Sequence, residues 1–216
     1  MRTAERLKHD VENELKWEPS VRDEQIGVSV KDGVVQLDGH VQSFYEKWAA
    51  ERAALRVANV KAIASEIKVD LSYMPARSDD SIARVVVSHL EWNTLVPDTI
   101  QVKVEDGWVT LTGNVEWQYQ RGEAERVIRP LIGVKGVSND ICILPHVNAD
   151  GVKSKIEAAL IRDAQFDASH VTVEARGSTV TLRGHVPSWN EREAIEHAAF
   201  DAPGVVRVEN LVEISY

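Results

Sequence analysis

The sequence predicts an α+β protein: three tandem αββαβ sandwich units, each a three-stranded mixed sheet with two helices on one face. Two observations carry this prediction. A block recurs three times along the 216 residues. Within each copy the apolar residues switch from a two-residue period to a helical one.

The recurrence aligns Ile26–Val41, Ile100–Val115 and Val171–Val186. Gly39, Gly113 and Gly184 coincide at spacings of 74 (113 − 39) and 71 (184 − 113), and the same spacings carry Val60 onto Val134 and Val205. Taken in chain order, each copy opens with an amphipathic helix. Ala4, Leu7, Val11 and Leu15 mark the first, Ile82, Val85, Val86 and Leu90 the second, and Val152, Ile156, Ala159 and Leu160 the third. Two strands follow. Ile26/Val28/Val30, Ile100/Val102/Val104 and Val171/Val173/Ala175 alternate with mostly polar residues. So do Val35/Leu37/Val41, Val109/Leu111/Val115 and Val180/Leu182/Val186, so every strand has one buried and one open face. Lys31-Asp32-Gly33, Glu105-Asp106-Gly107 and Arg176-Gly177-Ser178 supply the tight turns between them.

A second helix comes next, with apolar stripes Ala50/Ala53/Ala54/Val57, Ala124/Val127/Ile128/Leu131 and Ile195/Ala198/Ala199/Ala202. Gly133 and Gly204 stop two of these helices in the left-handed conformation, and Asn59 takes that place in the first copy. A third strand closes each unit at Ile67/Val69, Ile141/Ile143 and Val212/Ile214. A right-handed strand–helix–strand crossover makes strands two and three parallel. Pro75 with Ser78-Asp79-Asp80, and Pro145 through Asp150-Gly151, mark the junctions and give units 1–73, 78–145 and 149–216. Units of about 70 residues bury only about 60% of their surface. The copies are therefore expected to pack on one another.

Composition excludes several classes of function. Hydrophobic content of 44% with 27% charged residues describes an ordinary globular protein, and the net charge of −9 is spread without any Lys/Arg block. Generic nucleic-acid binding is disfavoured. The lone Cys142 excludes an internal disulfide and a thiolate metal cage. No stretch approaches the roughly 20 apolar residues that cross a bilayer. The first ten residues have no apolar run of the kind a signal peptide carries. The location expected is cytoplasmic, with room for peripheral membrane contact, or periplasmic if a leader has been removed.

The pattern Val-x-Val-x-(Asp)-Gly-x-Val-x-Leu-x-Gly-x-Val, then a helix, then Gly-Val-x-x-Val-x-Asn, resembles the BON domain, the bacterial osmotically inducible and nodulation domain. Gly133-Val134-Lys135-Gly136-Val137-Ser138-Asn139 and Gly204-Val205-Val206-Arg207-Val208-Glu209-Asn210 match its second half. The first copy departs there, with Asn59 for glycine and Ser65 for asparagine. The resemblance covers nearly the full chain. It implies a sandwich unit of stress-related envelope proteins that attach to phospholipid membranes or bind partners. The matching residues are structural (Gly39, Gly113, Gly184, Gly133, Gly204 and core aliphatics), so no catalytic residue carries over.

No catalytic, cofactor-binding or metal-binding set emerges from the residues. The seven histidines form no pair at zinc-ligand spacing. His40 and His185 are repeat equivalents, but the middle copy has Asn114, so they read as solvated residues near turns. Asp79-Asp80 and Asp150-Gly151 lack the other ligands of a calcium loop and read as linker. Aromatic residues do recur at the second-helix starts: Phe44 and Tyr45, Trp117 and Tyr119, and Trp189. One reading makes them hydrophobic staples, and the other makes them lipid or partner contacts beside a helix N-terminus. Trp17 and Trp92 end their first helices, with Arg162 in the third copy, and core packing is expected for both tryptophans. On the open sheet face the middle copy alone places Trp108, Cys142 and Leu144 where its sisters are polar, an expected apolar interface patch.

Together these readings point to a non-catalytic binding or scaffold protein of the osmotic or envelope stress response. It would bind a phospholipid membrane surface or protein partners and self-associate as a homo-oligomer, with no cofactor. Three linked weak sites gain through effective concentration. The alternative is an ion- or small-ligand-responsive module, such as a potassium sensor. An enzyme is the third class.

Overall fold

The computed structural model describes residues 4–73, 75–144, 152–162 and 171–214. The junction Pro145–Gly151 and the side chains of Val152, Leu160 and Arg162 lie outside what it describes. Unit 1 consists of α1 (Ala4–Trp17), β1 (Ile26–Lys31), β2 (Val34–Val41), α2 (Phe44–Arg56) and β3 (Ala62–Val69). Unit 2 repeats this as α3 (Asp79–Glu91), β4 (Gln101–Glu105), β5 (Trp108–Val115), α4 (Gln118–Ile128) and β6 (Gly136–Ile143). Unit 3 comprises α5 (Val152–Arg162), β7 (Val171–Arg176), β8 (Thr179–Val186), α6 (Trp189–Phe200) and β9 (Arg207–Ile214).

Each unit has its own sheet, ordered β1-β2-β3, β4-β5-β6 and β7-β8-β9. The hairpin pair is antiparallel, with Val28 opposite Leu37, and the crossover pair is parallel, with Val35 opposite Ile63. The sheets are therefore mixed, as the sequence predicts. The central strands alternate strictly, and Leu37, Leu111 and Leu182 are fully buried at their middles. Each contributes about 1.5–3 kcal/mol relative to exposure.

Two backbone features hold the units in shape. Gly39 and Gly113 sit at φ +137° and +126°, where a Cβ would collide with the carbonyl oxygens of Gln25 and Thr99. No other residue fits that approach. The predicted helix stops at Asn59, Gly133 and Gly204 all have positive φ.

The core is not divided by three. Unit 1 has a cluster of its own, built on Leu7, Val11, Leu15, Val35, Leu37 and the alanines of α2. Buried residues of units 2 and 3 instead form one continuous cluster, against which Phe44 of unit 1 packs. The units do pack on one another.

Candidate functional site

The second helices start at a common place, and their caps define the register. Ser43 and Ser188 are N-caps whose hydroxyls accept from Glu46 N (3.1 Å) and Glu191 N (3.3 Å). Trp117 holds the same position in unit 2 and has no side-chain oxygen. There Gln120 Oε1 accepts from Glu116 N and Trp117 N, both at 3.0 Å. In this register Trp117 aligns with the capping serines, while Phe44, Gln118 and Trp189 are the first helical residues.

Two of the five aromatics are spent between units. Phe44 packs on the shared core of units 2 and 3. Trp189 Nε1 donates to Lys61 O of unit 1 at 3.1 Å, with the Arg192 guanidinium 4.8 Å from the centre of its ring. Tyr45 lies against Trp48, with centroids 5.7 Å apart, and both Tyr45 and Tyr119 are exposed. Trp117 is half-buried. Phe44 and Trp189 thus have a task that neither sequence reading gave them: they join one repeat to the next.

Sequence reasoning missed the residues that complete this junction. The Arg129 guanidinium of unit 2 stands 4.5 Å from the Trp48 ring of unit 1, with Arg52 at 5.8 Å. Arg52 also forms an ion pair with Glu193 of unit 3. Cation–π contacts of this kind contribute about 0.5–2 kcal/mol. One signal was present: Trp48 lies where the other copies have Gly122 and Glu193, an odd place for an indole on a solvated helix.

The charged groups of the site serve structure. Glu46 is the buried charged residue of unit 1 and accepts from Arg22 N (3.0 Å), Gln42 N (3.0 Å) and the Arg22 guanidinium. Burial opposes its charge, yet these hydrogen bonds outweigh burial and hold its carboxyl below the usual range. Glu191, its equivalent in unit 3, is pushed up by burial against the hydrogen bond from Ser188. His185 pairs with Glu213 at 3.5 Å on the surface. Among the described residues no group of three His, Cys, Asp or Glu side chains could hold a metal ion.

The expected apolar patch is split by the register. In the parallel pair of β5 and β6, Trp108 faces Gly136 while Cys142 faces Asn114, six residues along. That is about 20 Å at strand rise. Trp108 folds its ring over Gly136 and donates to Ser138 Oγ at 2.9 Å. Leu144 is exposed at the far end beside Cys142. The sister faces carry exposed apolar residues as well: Val34 in unit 1, as its strand pattern predicts, and Leu211 in unit 3.

Sequence and geometry now meet. The BON-domain profile matches residues 3–70, 78–145 and 148–216. The chain belongs to the BON-domain family. Osmotically-inducible protein Y of Escherichia coli (strain K12) is 28% identical over 127 residues, 56% of this chain and 63% of that protein. The match thus spans less than two thirds of that relative's length. A protein described as uncharacterized, in the gshII 5' region of Anaplasma centrale, is 26% identical over 145 residues, 64% of this chain and 96% of that one. Among solved structures, CdsD, a structural protein of the type III secretion system of Chlamydia trachomatis, aligns at 16% identity and a TM-score of 0.27 over 96% of this chain and 91% of that one. The PrgH periplasmic domain aligns at 11% identity and a TM-score of 0.22 over 88% of this chain and 95% of that one.

The BON asparagine has a clear structural task here. Asn139 Nδ2 donates to Arg121 O (2.9 Å) and Glu125 Oε2 (3.1 Å), tying β6 to α4. Asn210 repeats this with Arg192 O (3.1 Å) and Glu196 Oε2 (2.9 Å). The first BON repeat has Ser65 instead, and its buried hydroxyl has no hydrogen-bond partner.

Two sequence readings need correction. Trp17 and Trp92 are not in the core; they are 79% and 86% exposed. Each lies two residues past its core leucine, Leu15 or Leu90, which turns it about 200° around the helix, away from the buried stripe. Asp79 is not linker either. It opens α3, and its carboxylate accepts from Asp106 N (2.8 Å) and Gly107 N (2.9 Å), holding the β4–β5 turn against the helix.

Proposed function

We propose that this BON protein is a non-catalytic scaffold of the stress response that attaches to phospholipid membrane surfaces. The observation that supports this most is the pair of exposed indoles at matching ends of α1 and α3. An indole this exposed costs solubility unless a partner takes it up, and a bilayer interface suits its apolar body and polar N–H. Trp92 adjoins a shallow groove of about 400 Å³ that includes Leu95 and Val127, which widens the apolar contact. The relative induced by osmotic stress makes this setting the natural one. A protein partner would use the same residues, since tryptophan also dominates protein interfaces.

Vesicle co-sedimentation tests the proposal. The full chain should pellet with phosphatidylcholine vesicles, and replacing both Trp17 and Trp92 by Ala should weaken binding at least about tenfold, or about 1.4 kcal/mol. With a net charge of −9, attachment should be weaker on anionic vesicles and should recover as salt screens the repulsion. Absence of pelleting on every vesicle would remove the lipid reading.

A further inference from the structure

The contacts between repeats share one sense. The spacings of 74 and 71 put Trp48, Gly122 and Glu193 at a single position of the second helix. In repeat 1 that position meets Arg129 near the end of the second helix of repeat 2. In repeat 3 it meets Arg52 on the second helix of repeat 1. Both contacts run from an early position on one helix to a later position on the next. A two-fold contact would pair each surface with itself, whereas an early-to-late contact is head-to-tail and either closes a ring or continues without end.

The first helical residue tells the same story. Trp189 of repeat 3 hydrogen-bonds to repeat 1, and Phe44 of repeat 1 packs on the core of the other two. Gln118 is the third member, and its Oε1 is buried. Repeats 2 and 3 share a continuous apolar cluster. Second-helix contacts are thus seen at steps 3→1 and 1→2, while repeats 2 and 3 touch through their shared apolar cluster.

We propose that the second helix of each repeat is a head-to-tail docking element for another BON repeat, and that this chain closes three such contacts on itself into a ring. The partner this surface fits is a further repeat of the same family. In a closed ring each copy of the surface faces the next repeat, so the self-association expected from sequence is satisfied within one chain. This inference stands apart from lipid attachment, which uses Trp17 and Trp92.

The weakest step offers the sharpest test. At Gly122 a side chain would meet nothing within 4 Å, so step 2→3 lacks the contact made by Trp48 and Glu193. A step built like the 3→1 contact would put Gly122 near His197, which holds the place of Arg52. In the full chain carrying Cys142→Ser, two cysteine pairs are made: Arg52→Cys with Glu193→Cys, and Gly122→Cys with His197→Cys. A short bifunctional thiol reagent should tie each pair within one chain, leaving a monomer band on a denaturing gel with no free thiol left to label. Ties between chains, or a free 122/197 pair beside a tied 52/193 pair, would overturn the ring. Light scattering on the unaltered chain gives a reading that no variant can spoil. It should report the mass of one chain, 24.1 kDa, and a stable oligomer would refute the claim that every docking surface is used internally.

Discussion

Repeat 1 and repeats 2 and 3 reach one fold by different means. Repeat 1 has a separate core packed with small α2 alanines, and a buried carboxylate, Glu46, gathers its loop around a charge. Repeats 2 and 3 share a core, and asparagine clamps tie their last strands to their second helices. At the clamp position repeat 1 has Ser65 without a partner, while Lys47 Nζ donates to Ile67 O at 3.0 Å, near where Arg192 bonds to strand carbonyls in repeat 3. Repeat 1 thus lacks the asparagine's bonds but keeps the helix-to-strand bond that accompanies the clamp in repeat 3. Sequence divergence within the chain therefore marks a change of support, not a change of fold.

The largest expected effect breaks the clamp. Asn210→Ala removes two donated hydrogen bonds, to Arg192 O and Glu196 Oε2, and one accepted from Val212 N. A part-buried set of this kind contributes about 2–3 kcal/mol. Chemical denaturation should show that loss. Hydrogen exchange should show loosening in β9 and α6, with α1 to β3 protected as before. Ser65→Ala, by contrast, should cost less than about 0.5 kcal/mol, because the hydroxyl makes no bond that the change would remove. Equal losses at the two positions would mean that repeat 1 relies on its serine after all.

The next effect is set by pH, and the two equivalent carboxyls act in opposite directions. Glu46 has a folded pKa below its ordinary value. Its contribution is present above the ordinary carboxylate range and is lost as pH falls through the folded value. Glu191 has a raised folded pKa. Its contribution is present below the ordinary value and is lost as pH rises through the folded one. Glu46→Gln should cost about 2 kcal/mol at neutral pH, because an amide donor replaces an acceptor facing Arg22 and Gln42. It should also reduce the loss of stability on acidification. Glu191→Gln should leave neutral stability unchanged or slightly raised. Melting curves of both variants across the acid range decide this; parallel behaviour would sink the distinction.

The repeat, the helix–strand order and the mixed sheets were legible because period-two and helical patterns recur in all three copies. The sites were much less so. Core stripes show which residues face inward, yet Trp17 and Trp92 sit at helix ends, where a two-residue offset reverses the side they face. The proposed patch of Trp108, Cys142 and Leu144 rested on strand adjacency alone, and the parallel register puts Trp108 and Cys142 at opposite ends. Contacts between repeats were hidden for a deeper reason. Equivalence tells where a residue sits in its own unit, whereas Arg129 on Trp48 depends on how two units turn toward each other.

The smallest effect concerns the first residue of the second helix in repeat 2. Gln118 takes the position of Phe44 and Trp189, but its Oε1 is buried with no hydrogen-bond partner. A buried amide oxygen left without a donor forfeits the hydrogen bonds it had with water, a penalty of about 1–3 kcal/mol, part of which the rest of the side chain recovers by packing. Gln118→Leu keeps a similar volume, removes the polar atom and gives repeat 2 the apolar first helical residue that Phe44 and Trp189 give the other two repeats. Stability should rise by about 1 kcal/mol, read as a higher midpoint in urea with an unchanged slope. A fall in the midpoint would show that the glutamine already has a donor there.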